Sequence, residues 1–208
     1  MKLYTTPHST ASERVRLALL LKGLEFTEIT ASDMDRVHYL GVNPSGLVPA
    51  LALNGQIIAQ SNAILHFLEA TFPQKPLLPD DPFLRANALA LAQHVTSEMH
   101  AIDVTRIRNF LKEQMGLNDR DLGRWSHHWF AEGFRVLEEA LARRAKATTY
   151  CFGADPGWAD VHLVPHVRKA VERFQVDMTP YPNIRAVYDR CKVLPEFIEA
   201  RAKLAGGQ

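Results

Sequence analysis

Small hydroxyl residues crowd the mouth of one helix in this chain. In "TTPHSTASERVRLALLLKG", residues 5–23, Ser9, Thr10 and Ser12 stand between a strand-like end and an apolar run closed by Gly23. Hydroxyls in that place have two uses. One is to cap the unsatisfied N–H groups, the reading open to Ser12. The other is to donate to a bound thiolate, whose pKa the positive end of the helix also lowers. A second mouth repeats the arrangement at Gln60-Ser61, ahead of the apolar face Ile64, Leu65, Leu68 and Phe72. There Ser61 can be an N-cap, or the open N–H groups can receive a carboxylate. Between the two mouths, Val48-Pro49 leads into a strand. A trans proline suits a strand edge, whereas a cis peptide would present the Val48 N–H and C=O to a ligand that extends like an added strand.

These points need a frame that holds them. Residues 2–6 read as a strand, 12–22 as a helix ending at Gly23, and 25–30 as a half-buried strand. A short helix follows, then a hairpin in which Asn54-Gly55 separates Leu51 and Leu53 from Ile57 and Ile58. The helix from Ser61 closes at Pro73. Next comes the proline-rich "FPQKPLLPDDPF", an extended linker. Beyond it the pattern is helical: 83–115 with breaks near 100–103, then 120–145, 157–172, 183–192 and 195–203. Leu122, Trp125, Trp129, Phe130, Phe134, Leu137 and Leu141 recur at three-four spacing and are expected to face a core. The expected division is an α/β domain over 1–73, a linker over 74–84 and an all-helical domain over 85–208.

Composition narrows the partners. A net charge of +1 with scattered Lys and Arg leaves no footprint for nucleic acid. No apolar run approaches a membrane span, and "MKLYTTP" lacks a signal-peptide pattern, so a soluble, cytoplasmic protein is expected. Cys151 and Cys191 are too few for a disulfide scaffold and sit in apolar settings that suit inert thiols. His162 and His166 share a helix face at i, i+4 but have no third ligand nearby in sequence, so no metal is expected.

"STASERVRLALLLKG", "NPSGLVPAL", "QSNAILHFLE", "HHWFAEGFRVLEEAL", "WADVHLVPHV" and "ERFQVDMTPYPNIRAV" together resemble the cytosolic glutathione transferases, most closely the zeta class of maleylacetoacetate and maleylpyruvate isomerases. The resemblance covers nearly the whole chain. It implies a thioredoxin-like α/β N-terminal domain with cis Pro49, an all-α C-terminal bundle, glutathione as cofactor, a small electrophilic substrate and a homodimer. Carried over by position, Ser9 holds the glutathione sulfur with Thr10 beside it. Val48 and Pro49 meet its cysteinyl backbone, and Gln60 and Ser61 its γ-glutamyl end. His100, Arg106 and Arg173 match positions that line the site, the arginines with His8 on the side of the substrate's carboxylates. In this reading Ser12 is left to cap. A thiol of pKa about 8.5 is only about 3% ionised at pH 7, and lowering it by about two units, worth about 2.7 kcal/mol, makes it mostly thiolate. Such a thiolate can add to a cis double bond conjugated with a carbonyl, permit rotation, and leave again.

Some positions depart from the family pattern. Ala11 replaces the class cysteine, which removes chemistry that needs a protein thiol there. His8 stands where relatives have arginine, and Val104 and Thr105 replace an asparagine and an arginine. Gly157 takes the place of a Ser or Thr cap, with Asp160 as the acidic partner of a local folding motif. These changes keep two alternatives in view: conjugation of glutathione to other small electrophiles, and a non-catalytic binding protein of the same fold.

Overall fold

The computed structural model describes residues 1–144 and 148–205. They form two compact units: Met1–Leu78 with the segment from Lys192 onward, and Pro79–Cys191.

In the first unit β1 (Lys2–Thr5) is followed by α1 (Thr10–Lys22), β2 (Thr27–Thr30) and α2 (Arg36–Val42). The hairpin β3 (Ala50–Leu53) and β4 (Gln56–Ala59) leads into α3 (Ser61–Thr71). The sheet order is β2-β1-β3-β4, with β1 parallel to β2 and antiparallel to β3, and β3 antiparallel to β4. A parallel pair needs a crossover, and α1 supplies it. Asn54 and Gly55 both take positive φ, 51° and 76°, the two-residue turn whose twist matches the strands. Gly23, at φ 68°, ends α1: its N–H bonds the Leu20 carbonyl and the Leu24 N–H that of Leu19.

The second unit contains α4 (Pro82–Gln93), which continues as a π-helical turn over His94–His100, then α5 (Thr105–Glu113), α6 (Asp119–Ala142), α7 (Trp158–Phe174) and α8 (Pro182–Cys191). Helix α4 begins inside the expected linker, because Asp81 caps it by accepting from the Leu84 N–H at 2.8 Å and Pro82 fills the first helical position. Of the expected aromatic stripe, Leu122, Phe130, Phe134, Leu137 and Leu141 are buried, while Trp125 and Trp129 are half-buried. The Trp125 indole donates to the Ile102 carbonyl.

The last helix, α9 (Pro195–Ala205), was expected with the helical domain and instead groups with the first unit. It packs on α1, where Arg16 Nη1 donates to the Ala200 carbonyl at 3.2 Å.

Asp160 has the structural place expected of it. Buried at the start of α7, it accepts from the Cys151 and Gly157 N–H groups, both at 2.9 Å. Burial pushes its carboxyl up, against the pull of those donors. Asp160→Ala should strand the buried Cys151 N–H and the half-buried Gly157 N–H and cost about 3 kcal/mol. Urea unfolding should show a lower midpoint at unchanged slope.

Candidate active site

The first helix mouth is built on Ser9. It is the N-cap of α1, with extended backbone, and its Oγ accepts from the Ser12 N–H at 3.2 Å and from the Ser12 hydroxyl at 3.0 Å. The expected split, in which Ser12 caps and Ser9 is spared, is therefore corrected: the helix starts two residues earlier than its apolar pattern, and Ser12 lies fully buried inside its first turn. A hydroxyl has two lone pairs and one proton. With both lone pairs of Ser9 engaged, donation is what remains to it. Thr10 is buried as the first helical residue, and Ala11 is buried beside it. His8 is exposed, in the left-handed region at φ 64°.

The loop before β3 is held from below. The Leu47 carbonyl accepts from the Tyr39 hydroxyl at 2.7 Å and from Asn43 Nδ2 at 2.6 Å. Asn43 Oδ1 in turn accepts from the Ser45 N–H and hydroxyl. This grip sets the backbone at Val48-Pro49, whose peptide is cis. The Val48 N–H and C=O are not engaged by another described residue. Tyr39 and Asn43 were not among the expected site residues. Asn43 in "NPSG" carries a turn signal that could have flagged it, whereas Tyr39 acts through a carbonyl and leaves no pattern.

At the second mouth the N-cap of α3 is Gln60, and Ser61 is the first helical residue. The expectation that Ser61 caps is corrected. Gln60 has φ 73° and no side chain caps the helix, so its first turn offers N–H groups to an anion.

Strand register brings these three features together. Tyr4 pairs with Ala50, and Ala50 with Ala59, so residues 5–9, Val48-Pro49 and Gln60-Ser61 leave the sheet at one end. That end presents a hydroxyl donor, an open extended backbone and an open helix N-terminus.

In the second unit His100 ends the π-helical turn, half-buried, with its ring edge-on to His166 at 5.5 Å. Arg106 is exposed on α5. Arg173 is exposed near the end of α7, its guanidinium 5.5 Å from the Phe174 ring centre, and pairs with no carboxylate of the described residues. His162 is buried, with Nδ1 2.7 Å from the Trp158 carbonyl and its ring stacked on that indole. Among the described residues no group of three or more His, Cys, Asp or Glu could hold a metal ion, and no helix is long and apolar enough to cross a membrane. Both cysteines are free and buried, and burial pushes both thiols up, so neither supplies a thiolate.

A thioredoxin-like sheet with these three features at one end defines a glutathione-binding class, and the comparisons agree. Residues 8–71 match the glutathione S-transferase N-terminal domain and residues 125–190 the C-terminal domain. The maleylpyruvate isomerase of Ralstonia sp is 40% identical over 96% of this chain and 96% of its own. A holo structure of maleyl pyruvate isomerase, a bacterial zeta-class glutathione S-transferase, superposes with a TM-score of 0.92 at 38% identity, covering 100% of both chains. The maleylacetoacetate isomerase of Anaeromyxobacter dehalogenans, solved with dicarboxyethyl glutathione and citrate in its active site, gives 0.83 at 32% identity over 99% of this chain and 92% of its own. The chain belongs to the glutathione S-transferase family, within its zeta class.

Ser9→Ala removes the cap of α1 and should cost about 1 kcal/mol of stability. A thermal melt checks it, and an unchanged midpoint would mean that Ser9 does not cap in solution.

Proposed function

We propose that this chain is a glutathione-dependent cis–trans isomerase of a maleyl-type oxo acid, such as maleylacetoacetate or maleylpyruvate. In this reading it acts in the cytoplasm, as a homodimer, on a small electrophilic substrate. The observation that carries the reading is Ser9, a hydroxyl whose lone pairs are both taken by Ser12 and which is left to donate. The isomerase relatives and the glutathione-bound neighbours support it.

The residues present fit glutathione. Val48 offers the N–H and C=O that an extended cysteinyl backbone pairs with, and the uncapped start of α3, with Gln60 and Ser61, suits a carboxylate. When bound, glutathione supplies a thiolate nucleophile that adds reversibly to a conjugated double bond and so frees rotation about it. The chain's part is electrostatic. Ser9 donates toward the sulfur, and the N-terminus of α1 adds its dipole, so the anionic form is favoured. Arg173, Arg106 and His8 are assigned to the substrate's carboxylates, where a cation offsets the negative charge that grows on its carbonyl oxygen, and His100 is assigned to glutathione. Thr10, assigned beside Ser9 by the resemblance, is buried as the first helical residue.

A second reading, conjugation of glutathione to another small electrophile, is favoured by His8 and Thr105, where the family pattern has permanent cations.

The test pairs wild type with Ser9→Ala and Ser12→Ala. The Ser9 hydrogen bond stabilises the charged thiolate, so its loss should raise the thiol pKa by about 1–2 units. The acidic limb of the kcat/KM profile for maleylacetone should move up in pH to match. At pH 7 turnover should fall about 10- to 100-fold, while calorimetric glutathione affinity holds. Ser12→Ala keeps the Ser9 proton and should lose far less. Turnover that does not need glutathione, or a Ser9→Ala profile that stays in place, would refute the assignment.

A further inference from the structure

The second unit contains a knot of cations around a single ring. Asp103, 3% exposed in the loop before α5, accepts from Lys169 Nζ at 2.6 Å, from Arg108 Nη1 at 3.2 Å and from the Ser126 hydroxyl at 2.7 Å. Lys169 gives a second N–H to the Asp103 carbonyl at 3.0 Å. Arg108 Nη1 also donates to the Leu122 carbonyl and bonds the Ser126 oxygen. The Phe174 ring centre lies 5.2 Å from the Arg108 guanidinium carbon, 5.7 Å from Lys169 Nζ and 5.5 Å from the Arg173 guanidinium carbon.

The charges do not balance. Arg108, Lys169 and Arg173 are three cations against the one carboxylate of Asp103, and the side chains of Arg108 and Lys169 are only 17% and 13% exposed. The groups bearing on Lys169 are Asp103 on one side and Arg173 and Arg108 on the other, and burial with that repulsion lowers its pKa. Two poorly solvated cations, Arg108 and Lys169, sharing one carboxylate are costly to maintain. Their hydrogen-bonding capacity is also unspent. Lys169 uses two of three N–H groups, Arg108 bonds through Nη1, and no described residue accepts a hydrogen bond from the guanidinium of Arg173. Asp103 thus holds two cations in place without neutralising the cluster, which is what preorganisation for an anion requires. Guanidinium forks beside an apolar ring suit a planar carboxylate.

We propose that Arg108 and Lys169, positioned by Asp103, join Arg173 around Phe174 in a carboxylate-binding subsite that takes one carboxylate of a dicarboxylic substrate. The substrate's identity rests on the isomerase reading above, whereas the anion site stands on the cluster alone.

Maleate is the probe, titrated calorimetrically into the full chain. Wild type should bind at about 1 mM or tighter. Arg108→Gln and Lys169→Gln should each bind about tenfold more weakly, the effect of one lost charge-assisted hydrogen bond. Lys169→Arg should retain most of the affinity, and Arg120→Gln, an exposed cation on α6, all of it. Arg108→Gln leaves the Asp103–Lys169 pair intact, so it carries the test if Lys169→Gln does not fold. Absence of maleate binding by wild type, equal binding by Arg108→Gln, or sulfate competing as well as maleate would overturn the subsite. Turnover separates the two proposals. Wild type that binds maleate through these residues but isomerises no maleyl acid keeps the subsite and ends the isomerase reading. Isomerisation with a KM for maleylpyruvate unchanged in Arg108→Gln does the reverse.

Discussion

A helix buried along most of its length has to satisfy its own charges inside the protein, and α1 does so through Arg16. The residue is 1% exposed, in a helix where Ser12, Glu13 and Arg14 are buried as well. Its guanidinium forks onto Glu28 of β2, Nε to Oε1 at 2.8 Å and Nη2 to Oε2 at 2.6 Å, and its third nitrogen reaches the Ala200 carbonyl of α9. Lys22 repeats the device at the other end, meeting Glu69 and the carbonyls of Phe72 and Lys75. Taking away one partner of such a buried pair leaves an uncompensated charge, worth about 3–5 kcal/mol. These contacts fix the rotation and height of α1 against the sheet. The position of Ser9 follows from them, because a cap goes where its helix goes.

Sheet register does the rest within the first unit. The Tyr4–Ala50–Ala59 row puts three chain exits at one end, and a slip of one residue in β3 would turn its buried Ala50 and Leu51 to the wrong faces. Register is therefore protected by the core, and the site inherits that protection. Besides the Asn54 turn, positive φ at non-glycine residues of this unit falls at the exits. His8 and Gln60, neither of them glycine, hold positive φ immediately before α1 and α3, a cost that persists only where the surroundings impose it. At Gln60 the result is a helix start without a capping side chain, whose N–H groups are open to an anion.

Much of this frame was legible in the sequence, and the exceptions have a common cause. The strands, the Asn54-Gly55 hairpin, Gly23 as helix stop and the order of the helices all rest on short-range signals that read directly. The two helix mouths were found by the same logic, although each cap was placed on the wrong residue, Ser12 for Ser9 and Ser61 for Gln60. What escaped depends on partners far along the chain. Hydrophobic periodicity treats charge as a mark of solvent, so it could not see that Glu13, Arg14 and Arg16 face inward. The assignment of α9 to the first unit turns on Arg16 reaching a carbonyl 184 residues away, and the Asp103–Lys169 pair spans 66 residues. Tyr39 acts on a backbone carbonyl, a partner that every residue carries and no motif records.

The two units also differ in the kind of donor they offer, and the difference has a chemical logic. The first presents neutral donors: a hydroxyl, backbone N–H groups and a helix end. The second presents permanent cations. A thiolate needs stabilising only until its pKa lies near ambient pH, because nucleophilicity falls as the pKa falls further. A single hydroxyl with a helix dipole gives about that much, whereas an adjacent guanidinium would overshoot. Spectator carboxylates face no such limit. They must be held and not activated, and for them the strongest fixed charges serve best.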